Sequence, residues 1–287
     1  MADRAEDPTG EALARSARRG EPDRYLAALL APPSARAHLL ALAAFSSELA
    51  RVPQAVAREP MMGEVRLQWW RDALAPADGV LRTGNPVADA VRDTVRELDL
   101  SRALLADVIE ARALELAPSP IADDAELRAY LWNSEGVLFA LAAGVLRRRS
   151  DLDVQPAAAA SGQAYGLARL LLGLPHALAR RRLLLPRTRL DAVGASPEAL
   201  MAGGDARGIA EVLVDLHAEA RHSLRAARQH VAKLPRDTRA AFLPLALVEP
   251  YLRALEKPGR DALRMPAQVA PLTRVWRIAA AHWLGRL

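Results

Sequence analysis

Apolar residues recur at three- and four-residue spacing along most of this chain, and no stretch shows the strict alternation and β-branched content of a strand. The pattern predicts an all-α protein. Asp23 reads as the N-cap of a short helix over 24–31, stopped by Pro32-Pro33. Ser34 reads as the cap of the next, in which Leu39, Leu40, Leu42, Phe45, Leu49 and Val52 fall near helical spacing before Pro53 ends it. Further helices are predicted over 62–74, 86–98, 101–116, 123–145, 205–234, 238–255 and 271–287, with a short piece at 197–200. Residues 1–22, polar and rich in small side chains, read as a flexible N-terminus ahead of one helical domain over 23–287.

The most informative run is 162–186, GQAYGLARLLLGLPHALARRRLLLP. Gly162, Ala164, Gly166 and Ala168 thin one face of a helix, so that another backbone or a flat ligand can approach closely. A central helix is expected there, emerging into the basic segment from His176 to Arg182. Asn133 and Glu135 sit on an otherwise apolar helix, and each needs a partner or a wet cavity, because burying a polar group unpaired costs about 1–3 kcal/mol. Trp69 and Trp70 cannot face the same way, so one is expected in the core and the other on a cavity or contact surface.

Other acidic patterns read as ordinary helix chemistry. Asp89 and Asp93 lie in the first turns of a helix beside Arg92 and Arg96, where they suit the dipole. Asp215, Glu219 and His222 share one face, but Arg221 and Arg225 lie alongside and Val212, Leu213, Leu216, Ala220 and Leu224 form the buried stripe; a charged outer face accounts for them better than a metal site.

With 51% hydrophobic residues in 287, the chain can bury a sizeable core. The absence of cysteine excludes disulfides, thiolate metal sites and cysteine nucleophiles. The first twenty residues lack the basic-then-apolar pattern of a signal peptide, and no run reaches about 18 uninterrupted apolar residues, so a transmembrane helix is not expected. The expected location is cytoplasmic, with peripheral contact to the inner membrane as the bolder alternative. The net charge of +5 is almost wholly arginine, Lys233 and Lys257 being the only lysines. Abundant Arg and Ala point to a GC-rich bacterial genome, a bias that weakens any single arginine as a functional signal. The clusters at 147–149 and 180–182 suit an anion or a helix C-terminus, and no nucleic-acid motif accompanies either.

Gly162-x-Ala164-x-Gly166, a basic turn and Leu185-Pro186 resemble the second signature of the squalene/phytoene synthase family, all-α enzymes that join two prenyl diphosphates head to head. The resemblance runs from about Arg24 to Trp283 and implies an isoprenoid-synthase-like bundle around a central cavity. In active members two acidic signatures face each other and hold Mg²⁺. Here the matching positions of the second are Gly173, His176 and Ala177, and no carboxylate occurs between Gly162 and Pro186. In the first, LALAAFSSELARVPQAV, Phe45 matches, whereas Ala50, Arg51 and Gln54 stand where the acids belong. Glu48 alone cannot hold Mg²⁺ against water, and it is placed to pair with Arg51. The Phe45-x-x-Glu48-Leu49-Ala50-x-Val52 text and the segment from Gly63 to Asp72 resemble a divergent branch without those aspartates. That branch includes the mitochondrial assembly factor for respiratory complex I and alphaproteobacterial relatives.

The resemblance implies a pocket lined by Phe45, Glu48, Arg51, Arg66, Trp70, Asn133, Glu135, Tyr165, Gly166 and His176, with Arg180, Arg181 and Arg182 as candidate anion binders. It implies no catalytic residue and no metal ligand. The favoured reading is a non-catalytic scaffold that keeps the pocket, for an isoprenoid or other apolar ligand or for a protein client of a respiratory complex. The alternative is an active prenyl transferase in which Arg51 and Arg180–Arg182 hold the diphosphates; Mg²⁺ is an expected cofactor only in that case, and none is expected otherwise. At the C-terminus, Trp276 and Trp283 lie on one helical face with arginines nearby, which suits either a closing helix packed on the core or peripheral attachment to anionic membrane.

Overall fold

The computed structural model describes residues 8–55, 60–75, 82–119, 121–147, 153–203 and 208–287. Among them every regular element is helical, in keeping with the spacing of apolar positions. The first half holds α1 (Pro8–Gly20), α2 (Pro22–Leu30), α3 (Pro33–Ala55), α4 (Pro60–Leu74), α5 (Pro86–Leu98), α6 (Arg102–Leu114) and α7 (Asp124–Leu131), the last running through a π turn (Trp132–Gly136) into α8 (Val137–Leu146). The second half holds α9 (Gln155–Ala179), α10 (Arg187–Ala192), α11 (Pro197–Met201), α12 (Ile209–Val231) and α13 (Arg236–Arg239). A 3₁₀ segment (Ala240–Leu247), α14 (Val248–Leu255) and α15 (Pro271–Leu284) complete the chain. Local sequence places several boundaries: Asn85 accepts from the Val87 and Ala88 amides at the start of α5, and Asp123 does the same for Ala125 and Glu126 at α7.

α9 is the axis of the bundle. It packs along α12 and also touches α8, α14 and the π turn. Its small-residue face does what the spacing anticipates. A Cβ on Gly162 would stand 2.6 Å from the backbone of Gly136, and one on Gly166 would stand 2.7 Å from the Leu131 side chain and 3.3 Å from Glu135 Cγ. The π turn therefore lies against α9 at a separation that only glycine allows. Within that turn the Val137 amide donates to the Trp132 carbonyl, one residue wider than an α-helical bond, and Glu135 is carried there in buried surroundings.

Several boundary expectations need correction. Residues 8–20 are not a loose tail: α1 packs on α3, burying Leu13 and Ala17, and Gly20 lies so close to Ser47 that a Cβ would fall 2.2 Å from its Oγ. Asp23 is not a cap but a buried first-turn residue, since α2 begins at Pro22, whose fixed φ and missing N–H suit that place. Ser34 likewise lies inside α3, which starts at Pro33, and α3 continues past Pro53 to Ala55. The stretch 1–7, Arg148 and Arg149 of the first basic cluster, and the predicted start of a helix at Asp205 lie outside the described residues. One continuous helical stretch, Asp124–Leu146, is long and apolar enough to cross a membrane by composition, but 61% of its most apolar window is buried in the bundle, as core.

The glycine contacts predict opposite outcomes for two chemically identical changes on α9. Gly162→Ala should destabilise the protein by about 1–3 kcal/mol, because its new methyl meets backbone. Gly173→Ala, with nothing within 4 Å, should be neutral or stabilising by about 0.5–1 kcal/mol. Urea unfolding of the two variants checks this.

Candidate functional site

Four charged side chains from three separate parts of the chain meet in the interior. The Glu21 side chain, just ahead of α2, is fully buried and accepts hydrogen bonds from Arg24 Nη1 at 2.9 Å, Arg169 Nη1 at 2.7 Å and Ser46 Oγ at 2.9 Å. Glu135, in the π turn, accepts from Arg24 Nη2 at 2.7 Å and stands 3.4 Å from Arg169 Nη1. Two acids thus alternate with two arginines, and the charges cancel. Arg24 is also 5.3 Å from the ring centroids of both Phe139 and Tyr165, and Arg169 is 5.5 Å from that of Tyr165. Burial by itself would raise the Glu21 carboxyl; the charges and hydrogen bonds of Arg169 and Arg24 outweigh it and take its pKa from 4.5 to about 2. Burial opposes the charge on both arginines too, and the two glutamates reverse this, raising Arg24 and Arg169 above their ordinary value.

Asp23 organises a second knot beside the first. It accepts from Tyr165 OH at 2.7 Å and from Tyr251 OH, while Arg274 Nε of α15 lies 2.9 Å away, near enough for an ion pair though not aligned as a hydrogen bond. Burial first, and the Asp23 charge second, push the Tyr165 hydroxyl well above its usual range. One acid thereby joins α2, α9, α14 and α15.

Against this cluster opens a cavity of about 480 Å³. Ala50 and Gln54 of α3 form one wall, and Gly173, His176 and Ala177 of α9 form another; Arg112, Glu115, Tyr130, Glu135, Arg169, Arg180 and Arg182 supply its polar lining. The two carboxylates of that lining are already engaged. Glu135 belongs to the buried cluster, and Glu115 pairs with Arg112 while accepting from Tyr130 OH at 2.8 Å. A divalent cation needs carboxylate oxygens that are free to turn toward it, and this donor set does not fit one.

The predicted pocket residues are distributed over several places. Glu135, Gly166, His176, Arg180 and Arg182 line the cavity just described. Glu48, Arg51, Arg66 and Trp70 line a separate cleft of about 300 Å³ between α3 and α4, where Arg51 Nη1 donates to Glu48 at 3.2 Å. Phe45 lines neither: it is wholly buried, its ring 5.3 Å from that of Trp70 in an edge contact. Trp70 is the core member of the tryptophan pair, and Trp69 is the half-exposed one at the cleft. Asn133 is part-buried on the π turn but lines neither space, while Tyr165 borders a third depression of about 540 Å³ together with Glu21, Asp23 and Arg274. The expected lining is thus divided among separate clefts, each bounded by both apolar and polar side chains.

The basic run also separates. Arg182 is buried and donates to the carbonyls of Glu115 and Ala117 just beyond α6; it satisfies the end of that helix rather than waiting for an anion. Arg181 is exposed, with a left-handed backbone (φ 56°), outside the cavity lining. Only Arg180 of the three is exposed at the cavity wall without an ion-pair partner among the described residues. Of the remaining acids, Asp89 accepts from Thr83, Asp93 from Arg82 and Arg96, and Glu219 from Arg189, all structural pairings. Sequence reasoning missed Glu21, Asp23, Arg24 and Arg169. The one available signal was charge on apolar helices: Glu135 and Arg169 each demanded a counter-charge that had to come from afar.

Residues 17–276 match the family model for squalene/phytoene synthase. The chain is 29% identical over 237 residues to NADH dehydrogenase (ubiquinone) complex I, assembly factor 6 of Bos taurus, covering 83% of this chain and 71% of that protein. It is 28% identical over 267 residues to the Mus musculus protein of the same name, covering 91% and 80%. Among solved structures it superposes on squalene synthase HpnC from Alicyclobacillus acidocaldarius with a TM-score of 0.70 at 20% identity, covering 86% of this chain and 92% of that one. It superposes on a ligand-bound dehydrosqualene synthase with a TM-score of 0.74 at 14% identity, covering 96% and 97%. These superpositions establish the shared helical fold.

The Glu21 shift fixes a pH dependence. Its folded pKa lies below the ordinary value, so the stability it contributes is complete above pH 4.5 and is lost as pH falls through about 2. Glu21→Gln should lower the unfolding free energy at neutral pH by about 3 kcal/mol, with the gap to wild type closing as pH falls from 4.5 toward 2. Denaturant titrations of both proteins across that range measure it.

Proposed function

This chain belongs to the squalene/phytoene synthase family, and from that premise we propose that it is a non-catalytic member whose bundle serves as a binding and assembly scaffold. The observation that carries the reading is the pair of cavity walls. Ala50 and Gln54 face Gly173, His176 and Ala177 where the resemblance places the two acidic signatures, and the carboxylates nearby are held by arginines. Head-to-head condensation begins with ionisation of a diphosphate, and without metal the departing charge loses a major stabilising partner. Mg²⁺ is accordingly not a cofactor of this chain in our reading.

The relatives named as complex I assembly factors support an assembly role, with a subunit or subcomplex of the NADH dehydrogenase as client. The cavity itself, with Leu170, Leu174 and Leu184 among its lining and Arg180 at its wall, suits an apolar ligand that ends in an anionic group. The prenyl transferase alternative is weakened because Arg51 faces a different cleft and Arg182 is committed to backbone carbonyls.

Purified protein incubated with isotopically labelled farnesyl or geranylgeranyl diphosphate and Mg²⁺ should release no diphosphate and form no condensed product. Calorimetry should detect no Mg²⁺ site even with diphosphate present. Deleting the gene in its host should lower NADH:ubiquinone oxidoreductase activity while leaving the isoprenoid profile unchanged. Turnover, or a changed isoprenoid profile with normal respiratory activity, contradicts the proposal.

A further inference from the structure

α15 divides cleanly into an anchored face and a bare one. Ile278 and Ala281 are buried against the bundle, and Arg274 on the same side reaches Asp23. At about 100° per residue, Leu272, Trp276 and Trp283 fall within about 40° of one another on the opposite side. They are 83%, 68% and 72% exposed. Leaving two tryptophans and a leucine in water along one line forgoes the burial that would otherwise stabilise them, so the face calls for an apolar or interfacial neighbour. Of the arginines near this face in the sequence, Arg274 is turned inward, toward Asp23.

Positive charge nevertheless borders the stripe. From Ala262 to Leu287 the chain holds four arginines and no acid. Alongside α15 runs a groove of about 440 Å³ lined by Arg228, Glu249, Arg253, Arg277, Leu284 and Arg286. Its one acidic side chain, Glu249, already accepts from Arg221 and Arg253. Arg228, Arg277 and Arg286 have no carboxylate partner among the described residues. Burial foremost, and the adjacent Arg277 charge, lower the pKa of Arg228 despite Glu249. Three like charges beside one engaged acid make a place for an anion.

We propose that α15 and this groove form a docking surface for an anionic phospholipid bilayer, with Trp276 and Trp283 seated at the headgroup level and Arg228, Arg277 and Arg286 facing lipid phosphates. Tryptophan suits that depth because its ring is apolar and its indole N–H still finds a polar partner there. A helix lying in the interface gains from both apolar insertion and attraction to anionic lipid, which is the combination these residues present. A protein partner or a second copy of this chain would also cover the stripe, but neither is called for by the row of unpaired arginines beside it. The inference is independent of whether the cavity is catalytic.

Flotation of the full chain with phosphatidylcholine vesicles, with and without phosphatidylglycerol, tests it. The protein should rise with the phosphatidylglycerol vesicles at low salt, stay down with phosphatidylcholine alone, and be released by high salt. Trp276→Ser with Trp283→Ser should weaken partitioning by about tenfold or more, and Arg277→Gln with Arg286→Gln by about fivefold per arginine. Circular dichroism and thermal melts should match wild type, since these side chains are largely exposed. Failure to co-float at low salt, or flotation unchanged in the tryptophan variant, overturns the proposal. So does a wild-type dimer in analytical ultracentrifugation that the tryptophan variant abolishes, because a second copy then owns the face.

Discussion

Two buried acids and two part-buried arginines that must neutralise one another constrain nearly everything else in this bundle. Glu21 and Glu135 lie more than a hundred residues apart, and Arg24 and Arg169 each reach both of them. Removing any one member leaves an uncompensated charge in the interior, a loss on the order of 3–5 kcal/mol, so α2, the π turn and α9 hold position as a set. The glycine face of α9 belongs to the same constraint. Gly162 lets the backbone of the π turn close on α9, where Glu135 comes within reach of Arg169. Asp23 extends the tie to α14 and α15 through Tyr251 and Arg274.

The same cluster bears on how the family fold is held together around the cavity. In a bundle that surrounds a metal–diphosphate site, inward-facing carboxylates are balanced by bound cations. Here Arg24, Arg169 and Arg112 balance Glu21, Glu135 and Glu115, and these cations are covalently part of the chain. The cavity carries Arg180 and His176 at the edge where α9 emerges. A fold so retained says nothing by itself about chemistry, which resides in the particular side chains of the walls.

Legibility in the sequence followed the range of each interaction. The helices, the buried stripe of α12, the thin face of α9 and the division of labour between Trp69 and Trp70 all rest on spacing within one or two turns, and they were readable. The buried network was not. Glu21-Pro22-Asp23 has the appearance of an ordinary helix start, where acids are common and usually solvated, and nothing local marks these two as buried. Arg182 misled in the opposite sense: three consecutive arginines suggest an anion site, but the carbonyls that claim the third belong to a helix end 65 residues earlier. Gly20 and Ala17 look like loop composition until α1 is set on α3, with Ser47 against Gly20 and Ala17 buried. In the same way, Phe45 matches the family text yet packs into the core, because sequence similarity specifies the helix and not the rotation of each side chain toward a cavity.

The most direct test of the account is a double-mutant cycle between Glu21→Gln and Arg169→Met, read as unfolding free energy at neutral pH. If the buried cluster holds the bundle together, the two substitutions should be strongly non-additive, with a coupling energy of about 2 kcal/mol or more, because the second removes a partner that the first has already stranded. Additivity within about 0.5 kcal/mol would show that the two charges act independently, and would contradict the central role given to the cluster.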